Sequence, residues 1–141
     1  QGWGGLYIRA NKLAYKMQQA HPGTGIKNRF NVPDCPERVH WDEDFALQVG
    51  APGAYDYGPE RTSWLTHHCT NWMGDDGFLS KHKSQIRRHN PDGDVIFIKG
   101  RVTRKFQENG KCYVEISQRA ETHRGELSAT GAAIVELPSR G

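Results

Sequence analysis

"PERTSWLTHHCTNWM", residues 59–73, is the stretch whose reading decides the fold. Trp64, Leu65, His68, Cys69, Trp72 and Met73 recur at three- and four-residue spacing, which predicts one broad apolar face on an α-helix. Pro59 suits the first helical position, where its missing N–H leaves no partner unsatisfied. "GDDG", residues 74–77, ends the segment. So aromatic a helix predicts another layer wrapped around it.

After Gly77 the pattern changes to that of strands. "FLSKHKSQIRR" (78–88) reads as a first, poorly alternating strand and "VIFIKGRVTRKF" (95–106) as a second. "KCYVEISQRAET" (111–122) is a third, with Cys112, Val114 and Ile116 alternating against Tyr113, Glu115 and Ser117. "ELSATGAAIVEL" (126–137) is a fourth, with Leu127, Ala129, Ala133, Val135 and Leu137 on one face. "NPDGD", "ENG" and "HRG" supply turns, the second with the Asn-Gly chemistry of a tight antiparallel connection. A sheet with one apolar face needs a cover, and helix 59–73 supplies it. The expected class is α+β, an antiparallel sheet curved around a central apolar helix.

Upstream, "GLYIRANKLAYKMQQA" (5–20) reads as an extra N-terminal helix, with Leu6, Leu13 and Met17 as its stripe and Ala10 and Ala14 beside it. Pro22 and Gly23 stop it. Residues 21–39 read as an irregular crossing segment that Ile26, Phe30 and Val32 could anchor. "WDEDFALQVG" (41–50) reads as a short helix capped by Asp42, with Phe45, Ala46 and Val49 on its apolar side and Gly50 at its end. "APGAYDYG" (51–58) is a loop. No internal repeat or low-complexity tract occurs.

The chain has 141 residues, 35% hydrophobic, 25% charged and 10% aromatic, which suits one folded domain. Its formal net charge of +3 is mildly basic and fits an anionic ligand. No long block of Lys and Arg occurs, so no nucleic-acid partner is expected. Cys35, Cys69 and Cys112 form no CxxC pair, which argues against a disulfide framework or a zinc site and fits reduced thiols in a cytoplasm. No apolar run approaches the length of a membrane span and no signal peptide is visible. The chain begins at Gln1, as expected of a processed or excised piece of something longer.

This order of elements resembles the hotdog fold of MaoC-like acyl-CoA hydratases and dehydratases, and so do several motifs. The family's hydratase motif runs Asp-x-Asn-Pro-x-His-x-Asp-x-x-x-Ala. "HWDEDFA" matches its second half, with His40, Asp42 and Ala46 in place. "GAPGAYDYG" resembles the family's loop into the central helix, "TNWMGDDGFL" and "GDVIFIKGRV" its helix end and following strand, and "AIVELPSR" its last strand. The likeness spans about residues 34–140, dividing the chain into an N-terminal helix and crossing segment, 1–33, and a hotdog domain, 34–141. One departure stands out. The family's aspartate lies five residues before the histidine, where this chain has Cys35; Asp34 is six before. The Asn-Pro is replaced by Glu37-Arg38, and no obvious first strand is present.

The resemblance implies an enoyl-CoA hydratase or 3-hydroxyacyl-CoA dehydratase. Such chemistry needs a base for water, an acid for the α-carbon and donors for the enolate-like oxygen. Asp34 and His40 are the expected acid/base pair, with Glu37 in reserve; by residue type alone, Asp34 is a turn residue and His40 an ordinary histidine beside a helix start. Gly58 and the following N–H groups would polarise the thioester carbonyl, or Gly58 only permits a turn. Tyr57 would line the acyl pocket or simply pack. Arg87 and Arg88, with Lys99 and Arg101, are candidates for the phosphates of coenzyme A, against ordinary surface solvation. His67, His68 and Cys69 point in different directions on a helix, so no metal is expected. No cofactor is expected beyond the coenzyme A of an acyl-CoA substrate. A homodimer, or a hetero-oligomer with another hotdog domain, is implied. Two other readings stay open: a non-catalytic hotdog subunit that structures a complex or binds acyl-CoA with a partner, and a thioesterase using Glu60.

Overall fold

The computed structural model describes residues 16, 19–21, 26–27, 29–31, 33–34 and 36–139, with the backbone alone at Ile26, Pro33, Asp34 and Pro36. The chain divides into two compact units, residues 1–57 and 58–141. The boundary expected between residues 33 and 34 falls inside the first unit, where few residues are described, and remains an expectation. The helix expected over residues 5–20 lies mostly outside the described residues; Lys16, Gln19 and Ala20 are helical.

In the first unit, β1 (Ile26–Lys27) and β2 (Pro33–Asp34) pair antiparallel, Ile26 opposite Asp34. The sequence predicts an irregular crossing segment here, and this short pairing is an addition to it. A 3-10 turn, Pro36–His40, leads into α1 (Glu43–Gln48). Asp42 caps α1 as expected, its carboxylate accepting from the Phe45 N–H at 3.1 Å. Phe45 and Ala46 are buried. Val49, expected on the same side, is instead 56% exposed. It lies past the end of so short a helix, where the chain turns through Gly50 at φ +85°.

The second unit is one helix on one sheet. Helix α2 (Gly58–Met73) starts one residue before Pro59. It is rich in hydroxyl side chains, which are poor helix formers in general. Here they turn back on the helix itself: Thr62, Ser63, Thr66 and Thr70 each donate to a carbonyl three or four residues earlier. Strands β3 (Phe78–Ile86), β4 (Ile96–Glu108), β5 (Lys111–Thr122) and β6 (Leu127–Leu137) form an antiparallel sheet in the order β3-β6-β5-β4. Hairpins join β4 to β5 and β5 to β6. The first turns through Asn109 and Gly110, both with positive φ, as the Asn-Gly pair predicts. Strand β3 pairs with the last strand, so the chain crosses the sheet between β3 and β4.

Helix α2 lies on the sheet face formed by alternate residues of β5 and β6. Cys69 packs with Val114, Ile116, Ala133 and Val135. Leu65 packs with Ala120 and Ala129, flanked by Ile96 and Ile98. Full burial of a leucine contributes about 1.5–3 kcal/mol, and the small residues beneath let the helix approach closely. Burial pushes the Cys69 thiol pKa up, which keeps it an inert packing group. Trp72, expected on the covered face, is 49% exposed. The sheet takes a narrower stripe of α2 than the aromatic pattern suggested.

Candidate functional site

His40 is held by backbone. Its Nδ1 lies 2.8 Å from the Tyr55 carbonyl oxygen. A carbonyl only accepts, so Nδ1 carries the proton and donates, and the lone pair of the neutral ring is at Nε2. The ring is boxed by two tyrosines, with centroids 4.7 Å from Tyr55 and 5.0 Å from Tyr57, both edge-on.

The sequence builds this arrangement in two pieces. The first is the 3-10 turn carrying His40. Arg38, almost fully buried, donates from Nη1 to the Lys27 carbonyl at 2.6 Å. Its guanidinium lies 3.9 Å from the centre of the Phe45 ring, and its Nε is 3.6 Å from the Asp42 carboxylate. One arginine thus ties the turn to β1 and α1. The second piece is the loop 49–57. Its Ala54 N–H donates to Glu43 Oε2 at 2.8 Å. Glu43 can reach because residue 53 is glycine: at φ +153°, a Cβ there would sit 3.0 Å from the Glu43 carboxylate. Tyr55 and Tyr57 are therefore positioned by α1, the helix that follows the turn carrying His40.

Glu37 and His40 are three residues apart on the 3-10 turn, so they share one edge of it. Glu37 Oε2 is buried with no hydrogen-bond partner among the described residues. An orphaned buried carboxylate oxygen is costly. Asp34 lies on β2, and its side chain is outside the described residues.

The remaining expected residues belong to the second unit, apart from Tyr57, which meets His40 as described. Gly58 opens α2. It has no left-handed φ, and a Cβ there would meet nothing within 4 Å, so neither a turn nor packing requires glycine. Arg87 and Arg88 follow β3, and both their N–H groups donate to the Ser128 carbonyl, at 2.8 and 3.3 Å. The Arg88 side chain is engaged with Glu126 at 2.8 Å. Lys99 is paired with Glu121 at 2.7 Å. Among the described residues no three His, Cys, Asp or Glu side chains gather as a metal site.

Two buried polar residues went unread in the sequence. Arg61, on α2, donates to the carbonyls of Arg88 and Ser128, the latter at 3.3 Å. Gln118, on β5, is buried under the helix. It donates to the Leu65 carbonyl at 2.7 Å, lies 3.2 Å from His68 Nδ1 and accepts from His82 Nε2 at 2.9 Å. The legible signal for Gln118 was its place in the alternating face of "CYVEISQRA", where a polar residue breaks the apolar series.

Solved structures of hydratases and dehydratases share this architecture. An (R)-hydratase from A. caviae involved in PHA biosynthesis matches with a TM-score of 0.63 at 22% identity, over 72% of this chain and 76% of that one. The chain has the hotdog fold. A MaoC-like dehydratase from Rhodospirillum rubrum matches this hotdog with a TM-score of 0.65 at 15% identity, over 75% and 77% of the two chains. The ChsH1-ChsH2 complex from Mycobacterium tuberculosis matches with a TM-score of 0.63 at 16% identity, over 72% and 76%. No protein-family model matches the sequence, and no curated protein matches it. Among the described residues, no helix of this hotdog chain is long and apolar enough to cross a membrane.

Proposed function

We propose that the chain hydrates the 2,3 double bond of an enoyl-CoA thioester, or dehydrates the 3-hydroxyacyl-CoA in reverse. The observation that carries this reading is the bond between His40 Nδ1 and the Tyr55 carbonyl, which leaves Nε2 as a base. The likeness in fold to an (R)-hydratase and a MaoC-like dehydratase supports it. In the hydration direction His40 Nε2 takes a proton from water. The oxygen of that water bonds to C3, and the electron pair of the double bond moves toward the thioester oxygen. A carboxylic acid then delivers a proton to C2. An imidazole is suited to the first step because its ordinary pKa is about 6.5.

Asp34 is the proposed carboxyl group, sharing the water with His40. Glu37 is the second candidate, favoured by its orphaned oxygen. The N–H groups at the start of α2 would stabilise the thioester oxygen. Tyr57 would border the acyl group. Arg87, whose side chain has no ion-pair partner among the described residues, is better suited than the engaged Arg88 to coenzyme A phosphates. This chemistry requires no metal or redox cofactor. Pairing with a second hotdog domain, identical or different, is part of the proposal, in line with the ChsH1-ChsH2 structure being a complex. A cytoplasmic location fits a coenzyme A thioester substrate.

The test is loss of enoyl absorbance with a panel of trans-2-enoyl-CoA substrates, using wild type, His40→Ala, Asp34→Asn and Glu37→Gln. Hydration by wild type that collapses in His40→Ala supports the reading, and the two carboxyl variants assign the acid. A folded wild type with no activity would favour the non-catalytic subunit.

A further inference from the structure

The face of the sheet turned away from α2 carries seven cations, on β3, β4 and β5, against four carboxylates, Glu108, Glu115, Glu121 and Glu136. Glu121 takes Lys99 and Arg119 at 2.7 and 2.9 Å, Glu115 takes Arg104 at 3.3 Å, and Glu136 takes Lys111 at 2.9 Å. Lys81, Lys83 and Arg101 are left with no carboxylate partner among the described residues. The whole chain has a net charge of only +3, so its surplus is concentrated on this face.

Two of these cations, Lys81 and Lys83, line one depression, and Arg101 stands at the far end of the row that crosses it. Register across the sheet puts Arg101 opposite Ser117, Ser117 opposite Ala132, and Ala132 opposite Lys83. This single row has cations at both ends and the two smallest side chains of the face between them. Neighbouring strands lie about 4.8 Å apart, so the row's ends are roughly 14 Å apart at the backbone, within reach of two long side chains folded inward. A depression of about 380 Å³ lies here, with Lys81, Lys83, Thr103, Glu115, Ser117 and Ala132 among its walls. Aromatic groups flank it on the same face. Phe97 is 52% exposed. Phe106 stacks on Tyr113 at 5.2 Å and carries the Arg104 guanidinium 4.3 Å from its ring centre.

We propose that this outer face is a docking surface for an acidic protein, whose carboxylates meet Lys81 and Lys83 at the depression and Arg101 at the other end of the row. The unneutralised row supplies charge complementarity, and exposed aromatic and arginine side chains are the usual anchors of protein interfaces. A nucleic acid fits less well, because Glu115, Glu121 and Glu136 are interleaved across the path of a phosphate backbone. A second copy presenting the same face is opposed by like charge.

The test is titration of the 141-residue chain, followed by backbone amide shifts, with poly-L-glutamate, with single-stranded oligothymidylate of equal length, and with inorganic pyrophosphate. The docking surface predicts that poly-L-glutamate binds best and shifts the amides of Lys83, Ala132, Ser117 and Arg101. It predicts binding about tenfold or more weaker in a Lys81→Glu, Lys83→Glu, Arg101→Glu variant, with an unchanged melting temperature. Absence of poly-L-glutamate binding would overturn the proposal, as would undiminished binding in the variant. Tighter binding of oligothymidylate would assign the face to nucleic acid instead, and saturation by pyrophosphate alone would make it a small-anion site.

Discussion

A Cβ on Gly100 would lie 2.5 Å from Cε1 of His68, so strand and helix meet there with no side chain between them. The His68 ring has little room to give way, since Gln118 lies 3.2 Å from its Nδ1. Gly100→Ala is therefore expected to lower stability by about 1–3 kcal/mol through overpacking. A His68→Ala change in the same chain should recover part of that loss, because it removes the atom struck. Urea unfolding of the two single variants and the double variant checks both statements. Additive losses would mean the contact is not the cause.

Gln118 makes the same point from the polar side. Its amide is bonded at both ends, to His82 and to the Leu65 carbonyl, in a site shielded from water. Gln118→Leu would strand the His82 Nε2 donor and remove the second bond to the Leu65 carbonyl, at an expected cost of about 1–3 kcal/mol. Gly131 leaves the space Gln118 needs, since a Cβ there would fall 2.5 Å from Oε1. Thermal unfolding of Gln118→Leu against wild type measures the cost, and an unchanged melting temperature would contradict it.

Acid should loosen the end of the sheet where Arg124 grips Asp94. The two form a bidentate pair at 2.7 and 2.6 Å, and the Asp94 side chain is only 7% exposed. The Arg124 hydrogen bonds, ahead of its charge and that of His123, hold the Asp94 carboxyl pKa below its ordinary value. A carboxyl lowered on folding adds stability that is fully present above the unfolded value, about 3.9, and is lost as pH falls through the folded one. Asp94→Asn should thus be less stable than wild type at neutral pH, with the difference closing in acid. Urea midpoints of both proteins across that range test the sign, and a gap that widens in acid would refute it.

The helix and the last strands of the second unit were legible from their period, and the poorly alternating first strand from the turns and stops around it. "KCYVEISQRAET" alternates along its length, and the structure has a strand over those same residues. Asn109-Gly110 announced its hairpin because few residues tolerate two successive positive φ values. The burial of Arg61 was not legible: an arginine on a helix usually faces water, and only the folded arrangement of the Arg88 and Ser128 carbonyls gives it partners. The width of the helix stripe was misjudged at Trp72 because spacing shows which residues share a face, not how much of that face a four-stranded sheet can cover. For the candidate site, His40 could be picked out by motif, but its anchor could not. The Tyr55 carbonyl is fifteen residues away, brought there by the bond from Ala54 to Glu43.

The role of His40 is the claim on which the functional account rests. The most direct measurement is kcat/KM for trans-2-enoyl-CoA hydration in wild type and His40→Ala, with folding of the variant confirmed by circular dichroism. The account predicts measurable hydration by wild type and a fall of about 10²–10⁴-fold in the variant, the usual contribution of a positioned acid/base group. Equal activity in the two proteins would contradict it.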